Sequence, residues 1–394
     1  MNDSFSNLST KPDTRESALV CRADRPRLMH VFPSFAVGGV PNRIAAIINR
    51  LGDGHYHTIL SLDGQYGAAE PLLSNGNVDL MAFECHRESF INTIRGIRWR
   101  LKNETPDALL TYNWGTIEWA FVNTVFNLGP HVHFESGFGK DEESALLWRR
   151  NRFRRLALLR ARRVVVPSQT LARIAEGAWR LPRRKVQVIP NGVDSEEFRG
   201  QPGCVTNVEF RTWPQDVVVG TVAPLRPEKN LDRLLRCFAA LDGKPEARLV
   251  VVGDGTERDR LEQVAMECGI SDRTVFAGHR GDVPHVLRGL DIFVMTSDTE
   301  QMPNSLLQAM AAGRPVIATD VGDVKRMVAP ENRPYIVAKT DEQGFKERLK
   351  NLLMDREKRL LLGEKNQTYA RTYYGIDKMV AAYKNLFNDT IQSA

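Results

Sequence analysis

The chain has 394 residues and a formal net charge of +6, with 42% hydrophobic and 26% charged residues. At roughly 150 residues per domain, this length predicts two or three domains and excludes a lone small module. The composition is that of an ordinary globular protein and excludes an intrinsically disordered chain. The excess of basic residues is compatible with nucleic acid, an anionic membrane surface or a phosphorylated substrate, and does not choose among them.

Targeting signals and cysteines both point to the cytoplasm. No stretch approaches the roughly 18 apolar residues of a membrane-spanning helix, and the start of the chain lacks the apolar run of a signal peptide. The cysteines lie far apart, with no Cys-x-x-Cys pair and no histidine at zinc-finger spacing. We therefore expect a cytoplasmic protein without structural zinc, whose free thiols are Cys21, Cys85, Cys204, Cys237 and Cys268.

The first part of the chain predicts a mobile arm followed by strands that alternate with helices. Residues 1–25 are polar and charged without apolar periodicity, which is typical of a flexible arm. From Arg27 the pattern becomes a strand, the glycine turn Gly38-Gly39 and a helix. Further buried strands are predicted at 57–62, 107–112, 131–135, 163–168 and 186–190.

The second part repeats this organisation after residues 201–214, which have no clear periodicity and form the predicted linker. Strands of the second series are predicted at 216–225, 248–255, 274–279, 291–297 and 314–320. Such alternation predicts parallel sheets covered by helices on both faces. The fold class is therefore α/β, with two domains in tandem and a crevice between them where the carboxyl ends of both sets of strands meet.

A candidate phosphate site lies in residues 291–323. A strand ends at Ser297, a polar loop carries Asp298 and Glu300, and Pro303-Asn304-Ser305 opens a helix that stops at Gly313. Free backbone N–H groups and the helix dipole make such a terminus an anion site. An ordinary capped helix is the alternative interpretation.

The loop 220–230 presents two basic side chains, Arg226 and Lys229, after another predicted strand. Two cations there could hold a diphosphate and stabilise the charge that grows as it leaves. A solvated basic pair is the alternative.

Six motifs in chain order carry a family resemblance. They are Gly38-Gly39, Val166-Pro167-Ser168, Pro190-Asn191-Gly192-Val193-Asp194, Arg226-Pro227-Glu228-Lys229-Asn230, Gly253-Asp254-Gly255 and Ser297 to Gly313. From about residue 27 to 385, the chain resembles the retaining glycosyltransferases of family 4, which have the GT-B fold of two Rossmann-like domains facing a central crevice.

The resemblance implies domain roles and a reaction. Residues 26–200, completed by a C-terminal helix at 371–394, would form the acceptor-side domain, and residues 215–370 would bind the nucleotide sugar. Members of the family transfer a sugar from a nucleotide diphosphate sugar to an acceptor hydroxyl, with retention at the anomeric carbon and without a metal ion or other cofactor.

The resemblance also implies the donor-binding residues Gly38, Gly39, Arg226, Lys229, Asn304, Ser305 and Gln308. The glycines let the backbone approach the donor phosphates, the basic pair neutralises the diphosphate, and the helix start offers backbone amides. Gln308 replaces the second carboxylate of the family's E-x7-E pattern, and its amide oxygen can still accept a ribose hydroxyl proton. The family's usual arginine of the phosphate loop falls near Ala223 or Pro224, so Arg226 substitutes for it in this hypothesis.

Three residues are candidates for catalysis. Glu300 matches the first carboxylate of E-x7-E, which lies beside the transferred sugar, and a solvated loop acid is its alternative. The family's sugar-contacting histidine is displaced, because His133 lies near a strand end while Ser136 stands where that histidine is often found. Glu135 is the neighbouring polar candidate. A buried core position for His133 stays open.

The segment 149–163, RRNRFRRLALLRARR, has eight arginines and no acid. Leu146, Phe153, Leu156 and Leu159 have helical spacing, so we expect this stripe to pack inward and the arginines to project outward. The basic face predicts contact with anionic lipid head groups or a lipid diphosphate acceptor, at the inner face of the cytoplasmic membrane. A solvated face paired with Asp141, Glu142 and Glu143 is the alternative, and nucleic acid is disfavoured because no binding module is recognisable.

The sequence is compatible with three functions. The leading hypothesis is sugar transfer to a lipid-linked or polysaccharide acceptor, in exopolysaccharide, lipopolysaccharide or related glycoconjugate synthesis. A nucleotide-sugar epimerase or hydrolase is the second, although no clear acid and base pair is present. The third is a partner protein that keeps the fold but has lost turnover through the changes at Ser136, Pro224 and Gln308. A nicotinamide dehydrogenase is disfavoured because no G-x-G-x-x-G follows the first strand.

Overall fold

The computed structural model of the chain describes residues 25–72, 75–82, 89–138, 142, 147–200, 216–241 and 246–392. Residues 1–24 of the predicted arm and the whole predicted linker at 201–214 lie outside these ranges. Cys21, Cys85 and Cys204 lie outside them as well. The described cysteines, Cys237 and Cys268, are free thiols.

Seven strands form the first sheet, in the order β3-β2-β1-β4-β5-β6-β7. Their bounds are Arg27–Phe32, Tyr56–Ser61, Val78–Ala82, Ala108–Tyr112, His131–Phe134, Arg163–Val166 and Val186–Val188 for β1 to β7. The central strand β1 runs parallel to both β2 and β4. Its side chains are buried on both faces, as expected for the centre of a covered parallel sheet.

Six strands form the second sheet, in the order β10-β9-β8-β11-β12-β13. Their bounds are Val217–Val222, Ala247–Val252, Thr274–Gly278, Ile292–Met295, Val316–Thr319 and Ile336–Val337 for β8 to β13. Strand β8 lies parallel to β9 and to β11. The strand order reverses between β8 and β11, so the loops that follow these two strands meet at one edge of the sheet.

Helices connect the strands. They are α1 Gly39–Leu51, α2 Phe90–Glu104, α3 Ile117–Phe126, α4 Trp148–Ala157, α5 Gln169–Gly177, α6 Leu231–Ala239, α7 Arg258–Glu267, α8 Val283–Gly289, α9 Asn304–Ala311, α10 Val324–Met327, α11 Glu342–Met354, α12 Arg356–Tyr374 and α13 Ile376–Gln392. Helix α6 illustrates why they form: Leu231, Leu234, Leu235 and Phe238 recur at helical spacing and are all buried. None of the helices in the described ranges is both long and apolar enough to cross a membrane.

The predicted fold class is confirmed, since two parallel sheets are present and every predicted strand contributes to one of them. Strands β3 and β13 were not predicted from the sequence. Strand β3 is half-exposed at the edge of its sheet and lacks a continuous apolar run, and β13 has only two residues.

The chain divides into two compact units. The first unit contains residues up to 135, 152–164 and the chain from 383, and the second contains 136–151 and 165–382. These bounds differ from the predicted domain boundary at 200, although the strands of the two sheets fall on either side of it. The difference arises because residues 168–191 make hydrogen bonds to residues 301–323. The predicted domain bounds stay a prediction.

The C-terminal end of the last helix packs in the first unit. The Tyr383 ring stacks on Phe134 with centroids 5.5 Å apart, and Phe387 meets His30 edge-on at 6.2 Å. Asn388 Oδ1 lies 3.1 Å from Nε2 of His55. These contacts attach the end of the chain to its first sheet, as expected of a final helix that returns to the first domain.

Candidate functional site

Two oppositely charged side chains meet at the edge of the second sheet where β8 and β11 end. Nζ of Lys229, in the loop after β8, lies 2.5 Å from Oε1 of Glu300, in the loop after β11. The Ser297 hydroxyl donates a hydrogen bond to the same carboxylate oxygen at 2.9 Å. The Lys229 side chain is 17% exposed and that of Glu300 is 13% exposed. We call these two residues the charged pair.

Hydrogen bonds hold the two loops of the charged pair together. The Asp298 carboxylate accepts from Nδ2 of Asn230 and Nη2 of Arg233, each at 2.9 Å. The Asp298 amide donates to the Glu228 carbonyl at 2.9 Å, and the Thr296 hydroxyl donates to the Asn230 carbonyl at 2.9 Å. Both backbones next to the charged pair are therefore restrained by several bonds. Sequence reasoning noted Asp298 but missed this network.

Helix α9 begins beside the same loop. Its polar side chains Asn304, Ser305 and Gln308 share one partly exposed face. Asn191, from the Pro-Asn-Gly-Val-Asp motif, holds this helix start, because its Nδ2 donates to the Met302 carbonyl at 3.0 Å and to Asn304 Oδ1 at 2.9 Å. The amides of a first helical turn have no partner inside the helix, so this terminus favours an anion.

Two glycines allow the loops to approach neighbouring backbone. Gly322 has φ +57°, and a Cβ there would collide with the carbonyl oxygen of Glu300. Gly253 has φ +135°, and a Cβ there would collide with the carbonyl oxygen of Ala223. Only glycine combines this backbone with such contacts. Gly322 is therefore a support of Glu300 that sequence reasoning did not single out.

Arg226 lies in different surroundings from the charged pair. Its side chain is exposed. It lines a cavity together with Pro227, Asn230, Glu257 and Arg260. Among the described residues, that lining does not include the charged pair. The structure thus separates the environments of the two predicted phosphate-binding cations, and the role of Arg226 stays a prediction.

Asp323 is a second residue that sequence reasoning missed. Its carboxylate accepts from the amides of Gln169 and Thr170, at 2.7 and 3.0 Å, and from the Thr170 hydroxyl at 2.7 Å. It therefore caps α5 from a distant part of the chain. The Ser168 hydroxyl also donates to Gln301 Oε1 at 3.2 Å, next to Glu300. An acid four residues beyond the end of strand β12 and next to a glycine was the only signal in the sequence.

The glycine turn of the first unit has no structural need for glycine at its first position. Gly38 precedes α1, which starts at Gly39, and its φ of 180° suits any residue. A Cβ at Gly38 would make only ordinary contacts, at 3.8 Å to the Ala36 carbonyl oxygen and 3.9 Å to Cδ of Pro41. The donor-binding role of both glycines stays a prediction.

His133 and Glu135 lie at the end of β5 and are fully buried. Oε2 of Glu135 is 3.8 Å from Nε2 of His133 and 3.7 Å from Nε of buried Arg154. Nδ1 of His133 is 2.8 Å from the Thr111 hydroxyl, and the Arg154 guanidinium lies 4.7 Å from the Trp114 ring centroid. Neither candidate reaches solvent in this conformation, and the contacts of His133 agree with the core position left open above. Their catalytic roles stay predictions.

The arginine-rich segment departs from its expected packing. Leu156 and Leu159 are 47% and 52% exposed, so the prediction that they pack inward is wrong. Ala157 and Leu158 are buried instead. Arg154 is buried too, with its Nε 3.7 Å from Oε2 of Glu135, so the expectation that the arginines project outward is wrong for this residue. The exposed arginines are Arg149, Arg152, Arg155, Arg160 and Arg163.

One expected acid partner of this segment is present. Nη1 of Arg150 lies 3.4 Å from Oε2 of Glu142. The other expected acids, Asp141 and Glu143, lie outside the described residues, as does Leu146. No group of three or more histidine, cysteine or acidic side chains in the described ranges is placed to hold a metal ion.

Two family models match most of the chain. The model described as "Glycosyltransferase Family 4" matches residues 37–197, and the model "Glycosyl transferases group 1" matches residues 209–369. The second match contains the charged pair and the start of α9.

Among curated proteins, the chain is 24% identical to N-acetyl-alpha-D-glucosaminyl L-malate synthase of Bacillus anthracis, over 54% of this chain and 55% of that protein. It is 34% identical to a GDP-mannose-dependent alpha-mannosyltransferase of Mycolicibacterium smegmatis, over 49% of this chain and 48% of that protein. The chain thus spans about half the length of the curated relatives it matches.

Solved structures share the whole fold. The crystal structure of Anabaena HepE in complex with UDP has a TM-score of 0.77 at 18% identity, covering 92% of this chain and 100% of that one. Sucrose-phosphate synthase from Thermosynechococcus elongatus has a TM-score of 0.76 at 16% identity, covering 93% and 100%. At this identity the likeness concerns the fold alone.

Proposed function

Since the chain belongs to glycosyltransferase family 4 and has the GT-B fold, we propose that it transfers a hexose-type sugar from a nucleotide diphosphate sugar to a hydroxyl of a lipid-linked or polysaccharide acceptor. Related proteins are an N-acetyl-alpha-D-glucosaminyl L-malate synthase and a GDP-mannose-dependent alpha-mannosyltransferase. A neighbour in fold holds UDP-glucose in its crystal structure. These names support a nucleotide sugar as donor.

The charged pair is the observation that carries the proposal. In the proposed complex Lys229, which contacts Glu300, binds the donor diphosphate, and its positive charge offsets the charge that develops on the leaving group. Glu300 lies in the same place with a carboxylate that can accept hydroxyl protons of the transferred sugar. The two side chains neutralise each other, so donor binding would exchange one anionic partner of Lys229 for another.

In the proposed reaction, the bond between the anomeric carbon and the diphosphate oxygen breaks while the acceptor oxygen bonds to that carbon on the same face. The acceptor's proton goes to the leaving phosphate, so no separate protein base is required. We propose that this retaining transfer proceeds without a metal ion or cofactor. The backbone amides of Asn304 and Ser305 bind the phosphates, and Gln308 accepts a ribose hydroxyl bond.

The acceptor side of the proposal rests on the arginine-rich segment. We propose that the enzyme works at the cytoplasmic face of the membrane, where exposed arginines of residues 149–163 attract anionic lipid or a lipid diphosphate. The relatives' names include a lipopolysaccharide core biosynthesis glycosyltransferase of Rhizobium meliloti, which supports glycoconjugate synthesis as the setting.

A thermal-shift screen with UDP, GDP, ADP and their common sugars, in the presence of a chelator, tests the donor site. A ligand at a hundred times its Kd stabilises the folded state by about 2.7 kcal/mol, which raises Tm measurably. We expect one diphosphate to do so, and Lys229→Ala to abolish the shift. The matched control is Lys339→Ala, at an exposed position of the same unit.

Transfer itself is then measured with the identified donor and membrane lipid extracts, by following radiolabelled sugar into the lipid. Nucleotide binding without transfer or hydrolysis would favour the degenerate partner, and a free sugar or an epimerised donor as product would favour the epimerase or hydrolase. Absence of any nucleotide shift would contradict the proposed donor site.

A further inference from the structure

The loop between β11 and α9 carries a polar side chain next to Glu300 that the donor site has not used. Gln301 follows Glu300 directly in the chain and is half-buried. The Glu300 carboxylate is held by Lys229, whereas Oε1 of Gln301 lies 3.2 Å from the Ser168 hydroxyl. The two consecutive side chains are therefore fixed by different segments, all of them in the second unit.

The Ser168 hydroxyl orients the amide of Gln301. Ser168 is fully buried, and its Oγ accepts from the Leu171 amide at 3.0 Å as the N-cap of α5. The hydroxyl proton is therefore available to Oε1 of Gln301, which accepts it. This bond uses the carbonyl end of the side-chain amide, so the two donors of its NH₂ group remain at the other end.

The position of Gln301 is restrained at its backbone and along its side chain. The Asp323 amide donates to the Gln301 carbonyl at 3.1 Å, and a Cβ at Gly322 would lie 2.8 Å from the same carbonyl oxygen. Gly137 packs against the side chain, since a Cβ there would lie 3.6 Å from Cγ of Gln301. A side chain restrained in this way loses little conformational entropy when it binds a ligand.

The NH₂ group of Gln301 is an unused hydrogen-bond donor. Among the residues that the structure describes, none accepts a hydrogen bond from Nε2 of Gln301. The group is neutral, so it suits an uncharged acceptor such as a hydroxyl oxygen. The Glu300 carboxylate, one residue before it, only accepts. Together the two side chains offer one donor and one acceptor, which matches a sugar ring whose hydroxyls do both.

We propose that Gln301 determines specificity for the transferred sugar. Its Nε2 donates a hydrogen bond to one hydroxyl oxygen of the sugar, while Glu300 accepts the proton of another. A sugar that lacks the first hydroxyl, or holds it in the opposite configuration, leaves this donor unpaired and binds less tightly. The inference rests on the nucleotide-sugar site proposed above and adds a residue to the sugar end of that site.

Titration calorimetry separates the sugar from the phosphates. The full chain is titrated with UDP and UDP-glucose, and with GDP and GDP-mannose, and the Kd of the sugar nucleotide is divided by that of its diphosphate. Gln301→Glu is the decisive variant, because its carboxylate still accepts from Ser168 but cannot donate to the sugar. We expect the ratio to rise by about three- to tenfold. The added charge acts on both ligands, so its effect cancels in the ratio.

The matched control makes the same chemical change on α11. Gln343 is exposed and its Nε2 donates to Oε1 of Glu347 at 3.0 Å, so Gln343→Glu should leave the ratio of Kd values unchanged. Deoxy analogues of the bound sugar nucleotide, one for each hydroxyl, identify the contact. We expect one analogue to bind the wild type about three- to tenfold less tightly than its parent, and to bind Gln301→Glu as tightly as the parent does.

Two outcomes would overturn the assignment of Gln301 and leave the proposed donor site intact. The first is a wild-type ratio of Kd values in Gln301→Glu, since only the bond to Ser168 would then matter. The second is a raised ratio in the variant together with the wild type's full loss for every deoxy analogue, since the variant would then disturb the loop without removing a sugar contact. A wild type that binds none of the four ligands would contradict the donor site itself, and this inference with it.

Discussion

At the scale of single residues, the site depends on side chains whose charge is compensated within the protein. Lys229 and Glu300 neutralise each other, and Ser297 donates a further hydrogen bond to Glu300. A group held in this way keeps its position before the substrate arrives, which is the condition for electrostatic stabilisation of a transition state. A conservative substitution in this site can therefore remove the charge of a side chain while its shape is kept.

Glu300→Gln preserves the shape of the side chain and removes its charge. We expect the rate of sugar transfer to fall at least about a hundredfold while Tm changes little, because the amide cannot replace the carboxylate beside the sugar. Initial-rate kinetics with donor and acceptor measure the effect. Glu331→Gln, at an exposed position, is the control, and wild-type kcat in Glu300→Gln would remove this residue from the mechanism.

Gly322→Ala tests the support beneath Glu300. The added Cβ would meet the Glu300 carbonyl oxygen in a left-handed backbone, so we expect a loss of about 1–3 kcal/mol in the free energy of unfolding. We also expect kcat to fall because the carboxylate is displaced. Gly269→Ala is the control, since it has a similar φ of +67° but no atom within 4 Å of its Cβ. Equal losses in both variants would mean that the close contact is unimportant.

At the scale of elements, short motifs act by joining distant segments. Asn191 holds the start of α9, and Asp323 caps α5. Each bond connects a helix start to a side chain from a distant part of the chain, and the Asp323 carboxylate satisfies two amides that have no partner inside α5. The motifs at Ser168 and Asn191 therefore hold the start of α9 and the Glu300 loop in position.

Asp323→Ala removes a carboxylate that is 7% exposed and accepts from two backbone amides. Loss of these charge-assisted bonds should lower the free energy of unfolding by about 2–4 kcal/mol. Urea unfolding followed by circular dichroism measures it. Asp259→Ala, an exposed acid in the first turn of α7, should cost less than about 0.5 kcal/mol. Similar losses in the two variants would argue against the capping role.

At the scale of the whole molecule, the two sheets differ in the polarity of their cores. The first unit buries a row of histidines, in which Nδ1 of His30 lies 2.9 Å from the Tyr112 hydroxyl and Nε2 lies 3.0 Å from Nδ1 of His57. His131 is bonded to the Thr111 hydroxyl at 2.8 Å. Burial lowers the pKa of His57 and of His131 to about 3, and that of His30 well below its ordinary value.

These histidines predict an acid-labile fold. Between the lowered pKa of about 3 and the ordinary value of 6.5, the unfolded chain binds protons that the folded chain does not. The free energy of unfolding should therefore fall with decreasing pH, by about 2 kcal/mol for each such histidine between about pH 7 and about pH 5. Urea unfolding across this range measures the slope.

His131→Gln is the matched variant, because an amide can still bond to the Thr111 hydroxyl without titrating. Between about pH 7 and about pH 5, we expect the free energy of unfolding to fall by about 2 kcal/mol less in the variant than in the wild type, because one buried histidine has been removed. An identical slope in both proteins would contradict the assignment.

The sequence alone determined the fold class and located the loops that carry the proposed donor-binding residues. Apolar runs, glycine turns and helix starts are local signals, and the order of the motifs along the chain is independent of packing. The pairing of β8 with β11, which places Lys229 beside Glu300, was not predicted, because it joins strands that are distant in the chain.

Tertiary structure decided which side chains are accessible and what supports them. The burial of His133 and Glu135 beside Arg154, the exposure of Leu156 and the approach of Gly322 to the Glu300 loop depend on partners far away in the chain. Periodicity reports which face of a helix is apolar, but the partner of a buried charge is set by packing between elements, and a single sequence does not contain that information.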